Sequence, residues 1–115
     1  NCFVNPLTAL LQVKNGVLIR NEKAFALLQQ LYEELKFAFS EEMTHFPFEK
    51  VVALCENTAA NTSSMLMDRL NERQSEVDAI VWPIIEQANK KRYELPTLRT
   101  LYYCITAIEM ERDGQ

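Results

Sequence analysis

Two asparagines at the start of the chain, Asn1 and Asn5, are one helical turn apart and therefore project from the same face of a helix. Their amides lie beside an apolar stripe that must be buried, so they need hydrogen-bonding partners. One interpretation is that they satisfy a neighbouring loop; the other is that they form a pair of donors and acceptors for a polar ligand. Spacing alone leaves both open. The stripe comprises Phe3, Leu7, Leu10 and Leu11.

Three further polar positions fall where the local pattern predicts a turn or a helix start. Asn15-Gly16 is a turn signal, because both residues tolerate positive φ, and we expect it where the first helix ends. Ser64 lies in a polar tract and is predicted to cap a short helix beginning one residue later. Glu76 follows Ser75 at another predicted helix start, where the helix dipole stabilises a carboxylate by about 0.3–1 kcal/mol. Each position therefore also has a purely structural explanation.

The elements that position these residues are predicted to be helices throughout, because no segment shows clean strand alternation. A long helix is expected over about 22–40 with Asn21 as its N-cap. A second apolar stripe predicts one helix over 77–88, with Ser75 and Asp78 forming a variant of the capping box. Further helices are expected from Pro47 to Ala59, from Met65, and after Pro96, with a break in the polar tract 57–64. The predicted fold class is all-α, a compact multi-helix bundle.

Composition narrows the classes of partner. The 115 residues carry 12 Lys+Arg against 16 Asp+Glu, a net charge of −4 without a basic cluster, which disfavours nucleic acid and anionic membrane surfaces. Only Gly16 and Gly114 are glycines, so the chain contains no G-x-G-x-x-G or P-loop and no cofactor-binding residue is assigned in it. We predict no metal site, because the single histidine and three widely spaced cysteines lack ligand spacing.

The cysteines and the hydropathy pattern indicate a compartment. Cys2, Cys55 and Cys104 each lie among apolar neighbours, which favours structural thiols in a reducing environment. No apolar run approaches the membrane-spanning length of about 20 residues, and no signal-peptide pattern is present. These features predict a cytoplasmic protein and leave homodimerisation open.

The order of the motifs resembles the C-terminal domain of the ketopantoate reductase family. In that family the pattern reads N-x-x-x-N-P-L-T-A-L, N-G, S-M-L-x-D and T-E-I-D at very similar spacing, ending in a helix after a proline. The resemblance covers nearly the whole chain and implies one helical domain over 1–115, with an N-terminal Rossmann domain outside it. The matching runs are Asn1–Leu10, Asn15-Gly16, Asn61–Asp68 and Ser75–Ile80.

The resemblance implies an NADPH-dependent reduction of 2-dehydropantoate, or of a related 2-oxo acid, to the hydroxy acid. It implies that Asn1, Asn5 and Asn15 hydrogen-bond the hydroxyl and carbonyl oxygens of the substrate. Ser64 would hold the substrate at its carboxylate, and Glu76 would be the catalytic carboxylate beside the reacting centre. The family's catalytic lysine lies four residues before the position of Asn1, and NADPH would bind mainly to the Rossmann domain. The fragment alone is therefore expected to be inactive.

An alternative from another class is a standalone helical interaction or dimerisation domain that kept this fold and lost the reductase activity. A preceding βαβ unit with G-x-G-x-x-G would favour the reductase over this alternative.

Overall fold

A computed structural model of the chain describes residues 4–113, with side chains as far as residue 112. That range contains eight helices and no strand, which confirms the all-α prediction. The Cα radius of gyration is 13.9 Å, close to the value of about 13 Å for a compact chain of this length. The helices are α1 (Val4–Leu11), α2 (Val17–Arg20), α3 (Glu22–Ala38), α4 (Phe48–Asn57), α5 (Ser64–Leu70), α6 (Val77–Ile80), α7 (Trp82–Lys90) and α8 (Pro96–Asp113).

Helix α1 lies at the centre of the bundle, packed against α3, α5 and α8. The side chains at positions 4 and 6–9 of α1 are all buried, so this helix is covered on most of its circumference. Burying a large aliphatic side chain stabilises the fold by about 1.5–3 kcal/mol. Such side chains in the core include Leu7 of α1, Leu28 and Leu31 of α3, and Leu98 and Ile105 of α8.

Helix α3 forms as the pattern predicts. The Asn21 side chain accepts hydrogen bonds from the amides of Lys23 and Ala24, both at 3.0 Å, so it is the N-cap. The carboxylate of Glu34 in the same helix accepts from the backbone amides of Thr97 and Leu98 at 2.8 and 3.0 Å. These are two of the amides that the first turn of α8 leaves unpaired, so α3 both caps α8 and sets its position.

The predicted helix over 77–88 is wrong in one respect, because the structure divides it into α6 and α7 at Val81. Pro83 has no N–H to donate to the carbonyl four residues earlier, and this interrupts the helical hydrogen bonds. Val81 keeps right-handed helical angles (φ −90°, ψ −44°) and is fully buried, so the apolar face continues across the break.

Both predicted caps near the site residues are also wrong. The N-cap of α5 is Ser63, not Ser64, and its Oγ accepts from the amide of Leu66 at 3.1 Å. No capping box forms at α6, where Glu76 occupies the N-cap position without a side-chain hydrogen bond. The carboxylate of Asp78 instead accepts from the Tyr102 hydroxyl, and this hydrogen bond raises the pKa of Tyr102 to about 12.

The Asn15-Gly16 turn does not use positive φ. The left-handed residue after α1 is Gln12 (φ 57°), whereas Gly16 has φ −64° and begins α2, a helix that the sequence pattern did not predict. Glycine is needed here for close approach: a Cβ on Gly16 would lie 2.7 Å from Cβ and 3.0 Å from Cα of Ala59. The Gly16 amide donates to the Ala59 carbonyl at 3.1 Å, so the two backbones touch.

Gly16→Ala is therefore expected to lower the free energy of unfolding by about 1–3 kcal/mol, because two backbone segments must separate to admit the methyl group. Chemical denaturation measures the loss. In Gly16→Ala/Ala59→Gly the closest contact is absent and only the backbone contacts remain, so this double variant should recover part of the stability. A single variant as stable as the wild type would show that this approach is not tight.

The environment of the described thiols agrees with the structural interpretation of the cysteines. Cys55 is buried and free, and desolvation raises its pKa, which disfavours the reactive thiolate. Cys104 is half-buried and also free, while Cys2 lies outside the described residues. Across residues 4–113, no helix has the length and apolar character needed to cross a bilayer.

Candidate functional site

The predicted site residues lie near the ends of different helices. Asn5 is in the first turn of α1, Ser64 is the first residue of α5, and Glu76 precedes α6. Asn15 lies in the turn before α2. Asn1 is outside the described residues, so its proposed pairing with Asn5 stays a prediction.

A chain of buried hydroxyls joins α1 to the start of α5. The Thr8 hydroxyl donates to the Asn5 carbonyl at 3.2 Å, and the hydroxyl groups of Thr8 and Ser63 are hydrogen-bonded to each other at 2.7 Å. The Ser63 oxygen in turn accepts from the Leu66 amide as the α5 N-cap. This chain is shielded from water and directional, so it sets Asn5 and the start of α5 in one relative position.

The side chains of Asn5 and Ser64 are left available by this arrangement. Asn5 is half-buried and Ser64 is exposed, and no hydrogen bond to either side chain is found among the described residues. The adjacent Ser63 makes the structural contacts that Ser64 was predicted to make. A neutral amide and a hydroxyl are suited to binding the oxygens of a small polar molecule.

Asn15 is used differently, because its side chain is tied to the turn after α4. Its Nδ2 donates to the Thr58 Oγ1 at 2.9 Å, and its backbone amide donates to the Asn61 carbonyl at 3.2 Å. Its Oδ1 is shielded from solvent and has no hydrogen-bond partner. The structure thus gives Asn15 a structural contact and one unused acceptor, and its contact with substrate stays a prediction.

Glu76 is exposed, and its carboxylate has no hydrogen bond or ion pair among the described residues. The preceding residue, Ser75, makes the structural contacts: its amide and Oγ donate to the Glu109 carboxylate at 2.8 and 2.6 Å. The predicted role of Glu76 as a dipole-stabilised carboxylate is limited, because α6 has only four residues. Its carboxylate therefore has no structural contact among the described residues, and its catalytic role stays a prediction.

The comparisons with known proteins point to one family. A family model described as the C terminal of ketopantoate reductase PanE/ApbA matches residues 1–109 of the chain. The chain belongs to the ketopantoate reductase family. A 2-dehydropantoate 2-reductase of Listeria innocua is 45% identical over 112 residues, which are 97% of this chain and 36% of that protein. The chain therefore spans about a third of the length of such curated ketopantoate reductases.

Solved ketopantoate reductases have the same helical arrangement. The crystal structure of a probable 2-dehydropantoate 2-reductase from Bacillus subtilis superposes with a TM-score of 0.86 at 37% identity, covering 93% of this chain and 37% of that one. A dimeric ketopantoate reductase from Staphylococcus aureus, at 22% identity, shares the fold with a TM-score of 0.77 over 97% of this chain and 40% of that one. The family predicted from the motifs is confirmed.

Sequence reasoning missed the residues that hold the ketopantoate reductase motifs in place. Ser63 and Ser75 each stand directly before a predicted site residue, and a single sequence does not show which of two neighbours is the cap. A sequence signal for Glu109 did exist. It follows Leu98, Leu101 and Ile105 at the three- and four-residue spacing of one buried helix face. A carboxylate in an apolar stripe indicates a buried, hydrogen-bonded charge. The described residues also contain no group of three His, Cys, Asp or Glu side chains suited to a metal ion.

Proposed function

We propose that the chain is the substrate-binding and catalytic C-terminal domain of an NADPH-dependent 2-dehydropantoate 2-reductase, acting on 2-dehydropantoate or a related 2-oxo acid. Family membership and the activity of the named relatives support the reaction class. The observation that carries the proposal is the availability of the Asn5, Ser64 and Glu76 side chains. Their neighbours Thr8, Ser63 and Ser75 meet the structural demands of the same segments.

The described residues do not fit a dinucleotide site. Gly16 is the glycine within this range, and the space beside it is filled by Ala59. The amides of Asn15 and Gly16 both donate to carbonyls, those of Asn61 and Ala59, and so cannot cradle a phosphate. We therefore place NADPH mainly on a part of the protein outside this chain. The site residues of this chain are assigned to the substrate and not to the cofactor.

The chain's own residues then act on the substrate oxygens. Reduction of a ketone develops negative charge on its oxygen, and a site that lowers this barrier needs a proton donor there and polar groups at the neighbouring oxygens. The Asn5 amide orients the substrate by hydrogen bonds to its oxygens, and the Ser64 hydroxyl holds its carboxylate. Glu76 keeps the family's lysine, four residues before Asn1, charged and oriented.

The test is an assay of the full-length gene product, in which NADPH absorbance is followed with 2-dehydropantoate and with a panel of other 2-oxo acids. We expect saturable, substrate-dependent oxidation of NADPH by the full-length product and none by the isolated 115 residues. A folded full-length protein that oxidises NADPH with none of these acids would favour the standalone interaction domain. Saturable micromolar binding of NADPH to the isolated chain would contradict the placement of the cofactor.

A further inference from the structure

Glu109 is a buried charge that the proposed reaction does not use directly. It lies on α8, one helical step beyond Ile105, and is only 7% exposed. Burying a carboxylate costs free energy unless it is hydrogen-bonded, and Glu109 has its partners on one residue. Its Oε1 accepts from both the amide and the Oγ of Ser75. The buried Glu109 carboxylate therefore fixes the backbone at Ser75.

The fixed segment connects two helices that carry predicted site residues. Residues 71–76 run from the end of α5, the helix that begins at Ser64, to Glu76 at the start of α6. Within this segment Glu72 has a left-handed backbone conformation, with φ 56°. A second contact with α8 is exposed: the Arg112 Nη1 donates to the Arg73 carbonyl at 3.1 Å. The Glu109 contact is the buried one and hence the less hydrated of the two.

A small cavity lies beside the contact between Glu109 and Ser75. The Arg69 side chain, from α5, lines the same small cavity as Glu109 and Ser75, and its Nε is shielded from solvent. No ion pair joins Arg69 to Glu109 among the described residues, so the hydrogen bonds to Ser75 are the contacts that hold the Glu109 carboxylate.

We propose that Glu109 is a positioning residue for Glu76, acting through Ser75, an inference that rests on the proposed function. Glu76 itself has no side-chain hydrogen bond among the described residues. The position of its carboxylate is therefore set by the backbone from which the side chain extends. Consecutive Cα atoms are about 3.8 Å apart, so holding Ser75 restricts the position of Glu76 directly.

The test uses two replacements of Glu109 in the full-length protein. Glu109→Leu is apolar and of similar size and removes both acceptor oxygens, and it should lower kcat about 10- to 100-fold, the effect of a catalytic group displaced by about 1 Å. KM for the 2-oxo acid should change much less, because Asn5 and Ser64 are held by other contacts. Glu109→Gln keeps one acceptor for Ser75 and should restore most of kcat. The matched control is Glu111→Gln, an exposed carboxylate on α8, which should leave kcat unchanged.

A double-mutant cycle separates positioning from general stability. If Glu109 acts through Glu76, Glu109→Leu should change kcat less than about twofold when Glu76→Gln is already present. Multiplicative losses in the double variant would overturn the inference. Should Glu109→Leu fail to fold, Ser75→Ala takes its place, since it removes the Oγ donor and retains the amide contact. A folded Ser75→Ala with wild-type kcat would also overturn it.

The same assays distinguish this inference from the proposed function. A wild-type protein that reduces 2-dehydropantoate, with kcat lowered by Glu76→Gln, supports the proposed function. If the losses of kcat in Glu109→Leu and Glu76→Gln multiply under those conditions, the positioning role of Glu109 is rejected and the proposed function stands. Wild-type turnover in Glu76→Gln rejects the role of Glu76, and the inference about Glu109 falls with it.

Discussion

Glu76→Gln in the full-length protein is expected to lower kcat/KM about 100-fold or more while barely changing the free energy of unfolding. Glutamine keeps the size and polarity of the side chain and removes the charge that we propose holds the catalytic lysine protonated and oriented. Stability should hardly change, because the Glu76 carboxylate is exposed and makes no hydrogen bond among the described residues. Steady-state kinetics and thermal unfolding measure the two effects on the same preparation.

The pH–rate profile gives Glu76→Gln a second, independent readout. A nearby negative charge raises the pKa of an ammonium group, so removing it lowers the lysine pKa. The lysine then loses its proton at lower pH, and the alkaline limb of the profile should move to lower pH. Glu86→Gln, an exposed carboxylate on α7, is the matched control and should shift neither rate nor profile. Near-wild-type turnover with an unshifted limb would show that Glu76 is only a residue at a helix start.

Asn5→Ala is expected to raise KM and to lower kcat/KM by about 1–3 kcal/mol, or roughly 5- to 150-fold, through lost hydrogen bonds to the substrate. Its side-chain amide has no hydrogen bond among the described residues, so truncation should cost little stability. Kinetics with 2-dehydropantoate as the varied substrate, together with the melting temperature, measure both. A large fall in melting temperature with unchanged kinetics would return Asn5 to a structural role.

Thr8→Val is the natural comparison, because it lies one turn from Asn5 and is fully buried. Its hydroxyl links the Asn5 carbonyl to Ser63, so its loss leaves the Ser63 hydroxyl without this hydrogen-bond partner. We expect about 1–3 kcal/mol of lost stability. A mainly kinetic loss in Asn5→Ala and a mainly stability loss in Thr8→Val would show that Asn5 contacts the substrate and that Thr8 supports the structure around it.

Much of the fold follows from local sequence. The apolar periodicity of residues 22–40 and the Asn21 cap predict α3 with correct boundaries at its start, because both signals act within one or two turns of helix. The break after α4 and the helix starting at Pro96 likewise depend on residues that are adjacent in the chain. The order of the asparagine, serine and glutamate motifs identified the family, and the candidate site rests on those motifs.

Only the tertiary structure decided which neighbouring side chains are structural and which are available. Ser63 rather than Ser64 caps α5 because Thr8, 55 positions away, meets it in the core. Gly16 is required because Ala59 touches it, not because its φ is positive. Glu109 fixes Ser75 across 34 positions of sequence. Each of these outcomes depends on a contact between distant residues, and the geometry of such contacts exists only once α1, α5 and α8 have packed.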